Sequence, residues 1–195
     1  MDFFVNNEKI DVSLENEKTV GAVLTAFEKE FAASEATTVA VVLDGENISA
    51  DNLDSVSGKL ISECSKLELT AVNASEIGEA FKIASDDLSK LADELEGVPV
   101  LMQSGKEKDA NELIKRTADE IANFCHIVAL STLFPEKYGK MNVDGKPFAE
   151  FFAEFSPILK DFENALESKD TVLTGDLAEY ELTPRIRAIA DAVRK

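Results

Sequence analysis

The chain lacks tryptophan altogether and has one histidine, His126, and two cysteines, Cys64 and Cys125. A metal site built from several histidines of one chain is therefore excluded. The two cysteines are far apart in the sequence, so they lack the close spacing of zinc ligands, and they are too few to hold a fold together by disulfides. We expect both thiols to be reduced and buried, as free cysteines usually are.

Basic residues are also scarce, because 20 Lys and Arg stand against 38 Asp and Glu in 195 residues, for a formal net charge of −18. Nucleic acids and anionic membrane surfaces are bound through clustered Lys and Arg. The longest basic group of this chain is interleaved with acids (Lys106, Lys108, Lys115 and Arg116). We therefore predict that the protein binds neither nucleic acid nor an anionic membrane surface.

Long apolar runs are absent as well. No stretch approaches the roughly 20 residues of a membrane-spanning helix, and the first residues lack the basic segment and apolar core of a secretory signal. Hydrophobic residues nevertheless make up 45% of the chain, which is enough to bury a core in one large or two small domains. We expect a cytoplasmic protein with no membrane span.

The first 72 residues have a strand period at both ends and a helical period between them. Phe3 and Val5, then Ile10, Val12 and Leu14, repeat every second residue, which predicts a β-hairpin. One apolar helix face follows, and after it come a β-branched run, a turn and another alternating stretch (helix face Val20, Val23, Leu24, Phe27 and Phe31; strand 38–43; turn 44–47; strand 66–72). The predicted element order is ββαββ.

This ββαββ region resembles the β-grasp fold of ubiquitin-like domains. Conjugated modifiers of this family end in an exposed Gly-Gly, whereas Val72 here continues into Asn73-Ala74-Ser75. The resemblance therefore implies a binding or docking role, and it does not imply covalent tagging. The matching segments are the first strand, the helix, a strand with its tight turn and edge strand, and the last, central strand (residues 3–5, 19–31, 41–48 and 67–72).

From Asn73 onward the apolar residues follow a helical period, interrupted by a predicted loop over residues 137–146. Short connections between amphipathic helices are typical of an antiparallel up-and-down bundle. Prolines and glycines mark most of the helix ends. Four helices are predicted (from the cap Ser75 to Gly97; through Leu113 and Val128 to Phe134; from Pro147 through Leu166; from Leu173 to Val193, bent near Leu182 by Pro184).

The predicted fold class is therefore α+β. A ubiquitin-like β-grasp domain is expected over residues 1–72, and an antiparallel four-helix bundle domain over residues 73–195. The boundary between them falls at Asn73-Ala74-Ser75.

No residue pattern typical of catalysis or cofactor binding is present. Cys125 and His126 are adjacent, and neighbours on a helix point about 100° apart, so they do not form a nucleophile and its base. A calcium loop aligned on Gly145 would put Lys140 and Phe151 at two oxygen-ligand positions. The Glu-x-x-His motif of bundle metal sites, Gly-rich phosphate loops and Gly-x-Ser-x-Gly are missing. We predict no catalytic, cofactor-binding or metal-binding residues, and therefore a protein that is not an enzyme.

The main positive feature is a run of phenylalanines, Phe148, Phe151, Phe152 and Phe155, on the third predicted helix. Aromatic residues at helical spacing usually fill a core. These four rings cannot all point the same way, and a face this wide can pack against the bundle on one side and still expose rings on the other. The alternative to an all-core role is therefore an apolar patch or groove for a partner helix or for self-association. Together with Tyr180, near the bend of the fourth helix, they are our predicted protein-interaction residues.

These features predict a non-enzymatic protein-interaction adaptor or chaperone-like factor in a bacterial-type cytoplasm, without a cofactor. Its partner would be a protein, or a second copy of the chain, and its acidic surface suits basic or amphipathic partners. A different hypothesis is a bundle that binds an apolar small molecule or lipid in a cavity lined by the 148–162 face. A third hypothesis, an acid–base enzyme, has no distinguishable pair of carboxylates to support it.

Overall fold

Residues 1–194 are described by the computed structural model, apart from the side chain of Glu107. The fold is α+β, with a mixed β-sheet and its helices in the N-terminal part of the chain and a helical part after it. Two units follow each other along the chain, Met1–Glu76 and the residues from Ile77 onward. Each unit has its own buried apolar cluster.

The first unit, all of which is described, contains five strands and two α-helices, with a 3-10 turn on either side of the second helix (β1, Asp2–Val5; β2, Glu8–Ile10; α1, Val20–Ala33; β3, Ala36–Leu43; β4, Glu46–Ile48; α2, Leu53–Ser57; β5, Lys66–Asn73). The strands form a mixed sheet in the order β2-β1-β5-β3-β4, in which β1 and β5 are parallel. The arrangement is consistent with a β-grasp-like fold.

Helix α1 packs on one face of this sheet. Val20 and Val23 are fully buried and belong to one apolar cluster with Leu67 of the central strand β5. The helix begins where Thr19 Oγ1 accepts a hydrogen bond from the Ala22 N–H (3.3 Å), as N-cap threonines do. Apolar residues repeat every 2 positions in the strands and every 3.6 positions in the helix, so each element has one apolar face, and these faces meet in a single core.

An amide side chain fastens the β1–β2 turn to the centre of the sheet. Asn6 and Asn7 both have a positive φ (+50° and +68°), a conformation that Asn tolerates better than most residues. Asn6 Nδ2 donates to the Ala71 carbonyl (3.0 Å), and Asn6 Oδ1 accepts the Ala71 N–H (2.9 Å). The side chain therefore continues the β1–β5 ladder past the end of β1.

A carboxylate has a similar role at the β3–β4 turn, Asp44-Gly45. Asp44 Oδ1 accepts hydrogen bonds from the Ser65 hydroxyl (2.6 Å), the Ser65 N–H (2.7 Å) and the Lys66 N–H (2.9 Å). Lys59 Nζ lies 3.5 Å from Asp44 Oδ2. The bond from the Ser65 hydroxyl and the two backbone bonds hold the pKa of Asp44 well below its usual range, because all three favour the ionised form.

Between the two predicted domains, a strand passes directly into a helix. β5 ends at Asn73, and the next helix, α3 (Ala74–Leu95), begins at the following residue. Asn73 Oδ1 accepts the Glu76 N–H (2.8 Å) while Glu76 Oε2 accepts the Asn73 N–H (3.0 Å), which is a capping box. The prediction of Ser75 as the cap is therefore wrong. Asn73 has an acidic partner three residues later, whereas Ser75 has Gly78 there.

The second unit is helical, with three short helices and a small hairpin among its longer helices (α4, Val98–Gln103; α5, Glu107–Ser131; α6, Pro135–Tyr138; β6, Asn142–Val143; β7, Lys146–Pro147; α7, Phe148–Glu167; α8, Thr171–Asp176; a π-helical segment, Leu177–Leu182; α9, Thr183–Val193). Its described residues form more helical segments than the four predicted, so the four-helix pattern is too simple. Across the described chain, no helix combines the length and the apolar character needed to cross a membrane.

Prolines explain most of the additional segments. Pro99 and Pro135 follow the ends of long helices, as predicted, but each also lies in the first turn of a new short helix, where its missing N–H costs no hydrogen bond. The bend predicted near Leu182 is the π-helical segment, which ends there, just before Pro184 in the first turn of α9. Thr183 spans this wide turn by donating from Oγ1 to the Ala178 carbonyl (2.9 Å).

Polar bonds join α9 to α3 in addition to the core contacts. Ser85, which is fully buried, donates from its hydroxyl to the Ala190 carbonyl (2.8 Å). Arg187 donates to Glu96 and to Asp93 (2.7 Å each), and these two bonds keep the pKa of Arg187 above its usual value. The later residues of α3 bind the earlier residue of α9, so the two helices are antiparallel.

We expect Asp44→Asn to destabilise the first unit at pH 7 and to matter less in acid. Because the folded pKa of Asp44 is lowered, its carboxylate stabilises the fold above the unfolded pKa of about 3.9. That contribution is lost as the pH falls below this value toward the folded pKa. Urea denaturation followed by the NMR amide signals of β3 and β5 should show a wild-type advantage at pH 7 that shrinks in acid.

Asp11→Asn is the matched control, because Asp11 is an exposed carboxylate of the same unit. It should leave the denaturation midpoint unchanged at both pH values. A loss of stability in Asp44→Asn that is equal at neutral and acidic pH would contradict the role given to the Asp44 carboxylate.

Candidate interaction groove

The five predicted interaction residues differ in how much surface they expose. Phe151 and Phe155 are core residues with 6% and 0% of their surface exposed. Phe148 and Phe152 are half-buried, and Tyr180 is 64% exposed. A partner of the folded protein can therefore reach Tyr180 and the edges of two rings, but not Phe151 or Phe155. The interaction role of these residues stays a prediction.

Ring contacts hold the phenylalanines of α7 against α5. Phe124, which is fully buried on α5, has its ring centroid 5.7 Å from that of Phe148 and 6.2 Å from that of Phe152. On its other side, Phe124 lies 6.0 Å from Phe81 of α3. Such separations are typical of favourable aromatic pairs. The start of α7 is thus packed on α5, and much of its aromatic surface is used in that contact.

Tyr180 lies on the π-helical segment, away from α7 in the sequence. Among the described residues, no ring contact connects it with the phenylalanines of α7. A hydrogen bond with Glu179 raises the pKa of Tyr180 above its usual value, so the hydroxyl stays neutral at physiological pH. The structure does not join Tyr180 and the phenylalanine run into one aromatic surface.

Farther along the same two helices, α5 and α7 border an open groove of about 500 Å³. Its walls include Phe162 and Leu182, which are 5% and 0% exposed and belong to the core. The lining comes from α5, α7 and the end of the π-helical segment (Ile114, Thr117, Ala118, Ile121, Ala122, Ser156, Leu159, Lys160, Phe162, Glu163, Leu166 and Leu182). We call this the α5–α7 groove.

Small side chains explain why the α5–α7 groove is open. α5 contributes Ala118 and Ala122, both exposed, and α7 contributes Ser156. Near Phe124 large rings fill the space between the helices, whereas a methyl or hydroxymethyl group is too short to fill it here. The buried Thr117 donates its hydroxyl to the Leu113 carbonyl (2.9 Å), so this polar side chain is already satisfied within its own helix. The groove is thus mainly apolar.

The helix α7 is acidic, and the lining of the α5–α7 groove carries one charge of each sign. Lys160 and Glu163 are the charged residues of its lining. α7 as a whole carries five carboxylates against one lysine. An apolar groove beside excess negative charge is complementary to an apolar segment that also carries basic residues.

Comparison with known families gives two matches. Residues 1–73 match the family described as TP0873 N-terminal domain. Residues 79–192, which are more than half of the chain, match the domain of unknown function DUF8042. The chain belongs to the DUF8042 family. The α5–α7 groove lies within the part of the chain that this match covers.

One relative of this DUF8042 protein aligns along almost the whole chain. It is an uncharacterized protein of Treponema pallidum (strain Nichols), 28% identical over 193 residues, an alignment that covers 99% of this chain and 96% of the relative. No solved structure matches the chain. The likeness to the relative therefore extends over both units, and it carries no activity with it.

The remaining reactive groups of the DUF8042 chain do not gather into a site. Cys64 is buried but Cys125 is exposed, which corrects the prediction of two buried thiols, because Cys125 follows the inward-facing Phe124 and points off that face of α5. Partial burial raises the pKa of the Cys125 thiol, so the reactive thiolate is disfavoured. Within residues 1–194, no three His, Cys, Asp or Glu side chains are grouped so as to hold a metal ion.

The residues that open the groove were not among the sequence candidates. Large apolar residues such as Leu113 and Ile121 stand out in a helical pattern, whereas Ala118 and Ala122 are compatible with either a buried or an exposed face. Small residues on two amphipathic helices can indicate a gap only if those helices are neighbours. The packing of α5 on α7 is a tertiary contact, which cannot be predicted from the helical period of either helix.

The difference in burial between Phe155 and Tyr180 predicts different effects of their substitution on the free energy of unfolding. Phe155→Ala should lower the free energy of unfolding by about 3–5 kcal/mol, because it leaves a cavity in the core. Tyr180→Ala should change it by no more than about 0.5 kcal/mol, as for other exposed side chains. Urea denaturation followed by circular dichroism at 222 nm measures both. A midpoint that falls for Tyr180→Ala but not for Phe155→Ala would contradict this packing.

Proposed function

We propose that this DUF8042 protein is a non-enzymatic protein-interaction adaptor or chaperone-like factor of a bacterial cytoplasm, and that its α5–α7 groove binds an apolar segment of a partner protein. The observation that carries the proposal is the open apolar groove between two helices, bordered by small side chains. Grooves of this kind receive amphipathic helices through apolar anchors spaced three and four residues apart.

Charge supports a particular class of partner. The chain has a formal net charge of −18, and α7 is acidic beside the groove. A basic amphipathic segment would be attracted to this surface over a distance and would then bury its apolar side. A second acidic copy of the same chain would be repelled, so a basic protein partner fits the charge better than self-association does.

The proposal extends to the fold of each unit. For residues 1–72 we propose a ubiquitin-like β-grasp domain with a docking role, supported by the order β2-β1-β5-β3-β4, the parallel β1–β5 pair and the packed helix α1. For the second unit we propose that α3, α5, α7 and α9 form an antiparallel four-helix bundle with short segments inserted. The bonds of Arg187 to α3 and the ring contacts of Phe124 with α7 support this arrangement.

A second candidate function is the binding of an apolar small molecule or lipid. The volume of the α5–α7 groove, about 500 Å³, lies within the range of small-molecule sites. Its apolar walls include Phe162 and Leu166. In this case the occupant would be a ligand that co-purifies with the protein.

Filling the groove should abolish partner binding without unfolding the protein. In Ala122→Trp the indole would occupy the groove, and Ala122 is exposed, so the core is left intact. We expect the partner captured from a lysate of the source organism to bind this variant about tenfold more weakly or worse, the size of one hot-spot loss. Affinity measurements with the purified partner test this.

Ala129→Trp is the matched control, because Ala129 is an exposed alanine of the same helix outside the groove lining. It should bind the partner like wild type. Equal binding by Ala122→Trp and wild type would remove the groove from the proposal. A bound small molecule seen by native mass spectrometry in wild type, and absent from Ala122→Trp, would instead support the ligand-binding alternative.

A further inference from the structure

One edge of the sheet in the first unit is only partly paired. β3 has eight residues, Ala36–Leu43, whereas β4 pairs only with Val41, Val42 and Leu43. Over residues 36–40, no described strand lies along the outer edge of β3. Backbone N–H and C=O groups on such an edge can pair with another extended chain.

A β-bulge in the same stretch turns an apolar side chain outward. The register between β3 and β5 shifts between Thr38 and Ala40, so Val39 is the extra residue. Val39 is 38% exposed. Bulges often reorient a side chain beside a functional site. The unpaired part of the β3 edge therefore carries both free backbone groups and an exposed aliphatic residue.

A groove of about 430 Å³ with a mixed apolar and polar lining runs beside this edge, between β3, α1 and the residues from Ile48 to Ser57. Its lining comes from α1, from β3, and from β4 with the segment that follows it (Gly21, Leu24, Thr25 and Glu28; residues 38–41; Ile48, Ala50, Leu53 and Ser57). Glu28 is the only titratable residue in the lining. A strand added at the β3 edge would have room for a side chain against Leu24 and a carboxylate to pair with a basic residue.

We propose that this β3–α1 groove binds an extended segment of a partner protein, added to the sheet as a further strand beside residues 36–40. An aliphatic side chain of that segment would contact Leu24 and Val39, and a Lys or Arg would face Glu28. Main-chain hydrogen bonds give affinity in this mode, and pockets for alternate side chains give specificity. The inference rests on the proposed interaction role of the protein, but it uses none of the residues of the α5–α7 groove.

The test uses the full chain and decapeptides selected on it from a random displayed library. Selected peptides should be extended in character, with an aliphatic and a basic residue. Thr25→Trp, which fills the groove, should weaken binding of the synthetic peptide at least about tenfold, because it removes the space for the peptide. N-methylation of alternate peptide nitrogens in one register should weaken binding by a similar factor, because it removes backbone hydrogen bonds. Glu28→Lys should weaken binding of basic peptides.

Ala32→Trp is the matched control, because Ala32 is exposed on α1 outside the groove lining. It should bind the peptide within about twofold of wild type. Amide hydrogen exchange within residues 36–40 should slow when the peptide is bound.

Three results would overturn the inference. The library could give no binder. Alternatively, the peptide could bind Thr25→Trp as tightly as wild type, and the N-methylated peptides could bind wild type as tightly as the unmodified peptide does. Selected peptides could also lose affinity for Ala122→Trp and not for Thr25→Trp. That last result would support the proposed function of the α5–α7 groove while removing the β3–α1 groove, so the two failures are distinguishable.

Discussion

The packing of Phe124 is the constraint on which the second unit depends. Its ring is fully buried and contacts Phe81 of α3 as well as Phe148 and Phe152 of α7. Large rings therefore set the approach of α5 and α7 at one end. Toward the other end the facing residues include the small Ala118, Ala122 and Ser156, and side chains too short to meet leave the α5–α7 groove open. The groove is thus a consequence of close packing elsewhere between the same helices.

The chain carries an excess of acidic residues, and this negative charge affects what each of its surfaces attracts. A net charge of −18 repels surfaces of like charge and attracts basic ones. Both grooves have a carboxylate in their lining, Glu163 together with Lys160 in one and Glu28 in the other. The family match to DUF8042 and the relative from Treponema pallidum cover the helical unit, and the relative also covers the sheet.

Local patterns predicted the long helices and the main strands of the sheet. They were wrong for the second strand, which is Glu8–Ile10 and does not extend to Leu14, and for the predicted loop 137–146, where β6 pairs with β7. They also failed where two residues compete for one role. Ser75 and Asn73 are both good caps, and the carboxylate of Glu76, three residues after Asn73, decides between them. Pro99 and Pro135 end helices and also begin them, because a proline fits the first turn as well as it breaks the interior. The residue type at a single position shows only one of the two partners in each of these interactions.

The main strands of the first unit, the long helices, the acidic composition and the aromatic richness of α7 follow from the amino-acid sequence by itself, because periodicity and charge are properties of neighbouring residues. Which phenylalanines are covered, why Cys125 is exposed and where the grooves lie depend on the tertiary structure. Burial is settled between elements: the same ring is a surface residue or a core residue according to the helix that packs on it. Phe155 and Tyr180 belong to one predicted set, and only the neighbours that each one meets in space separate them.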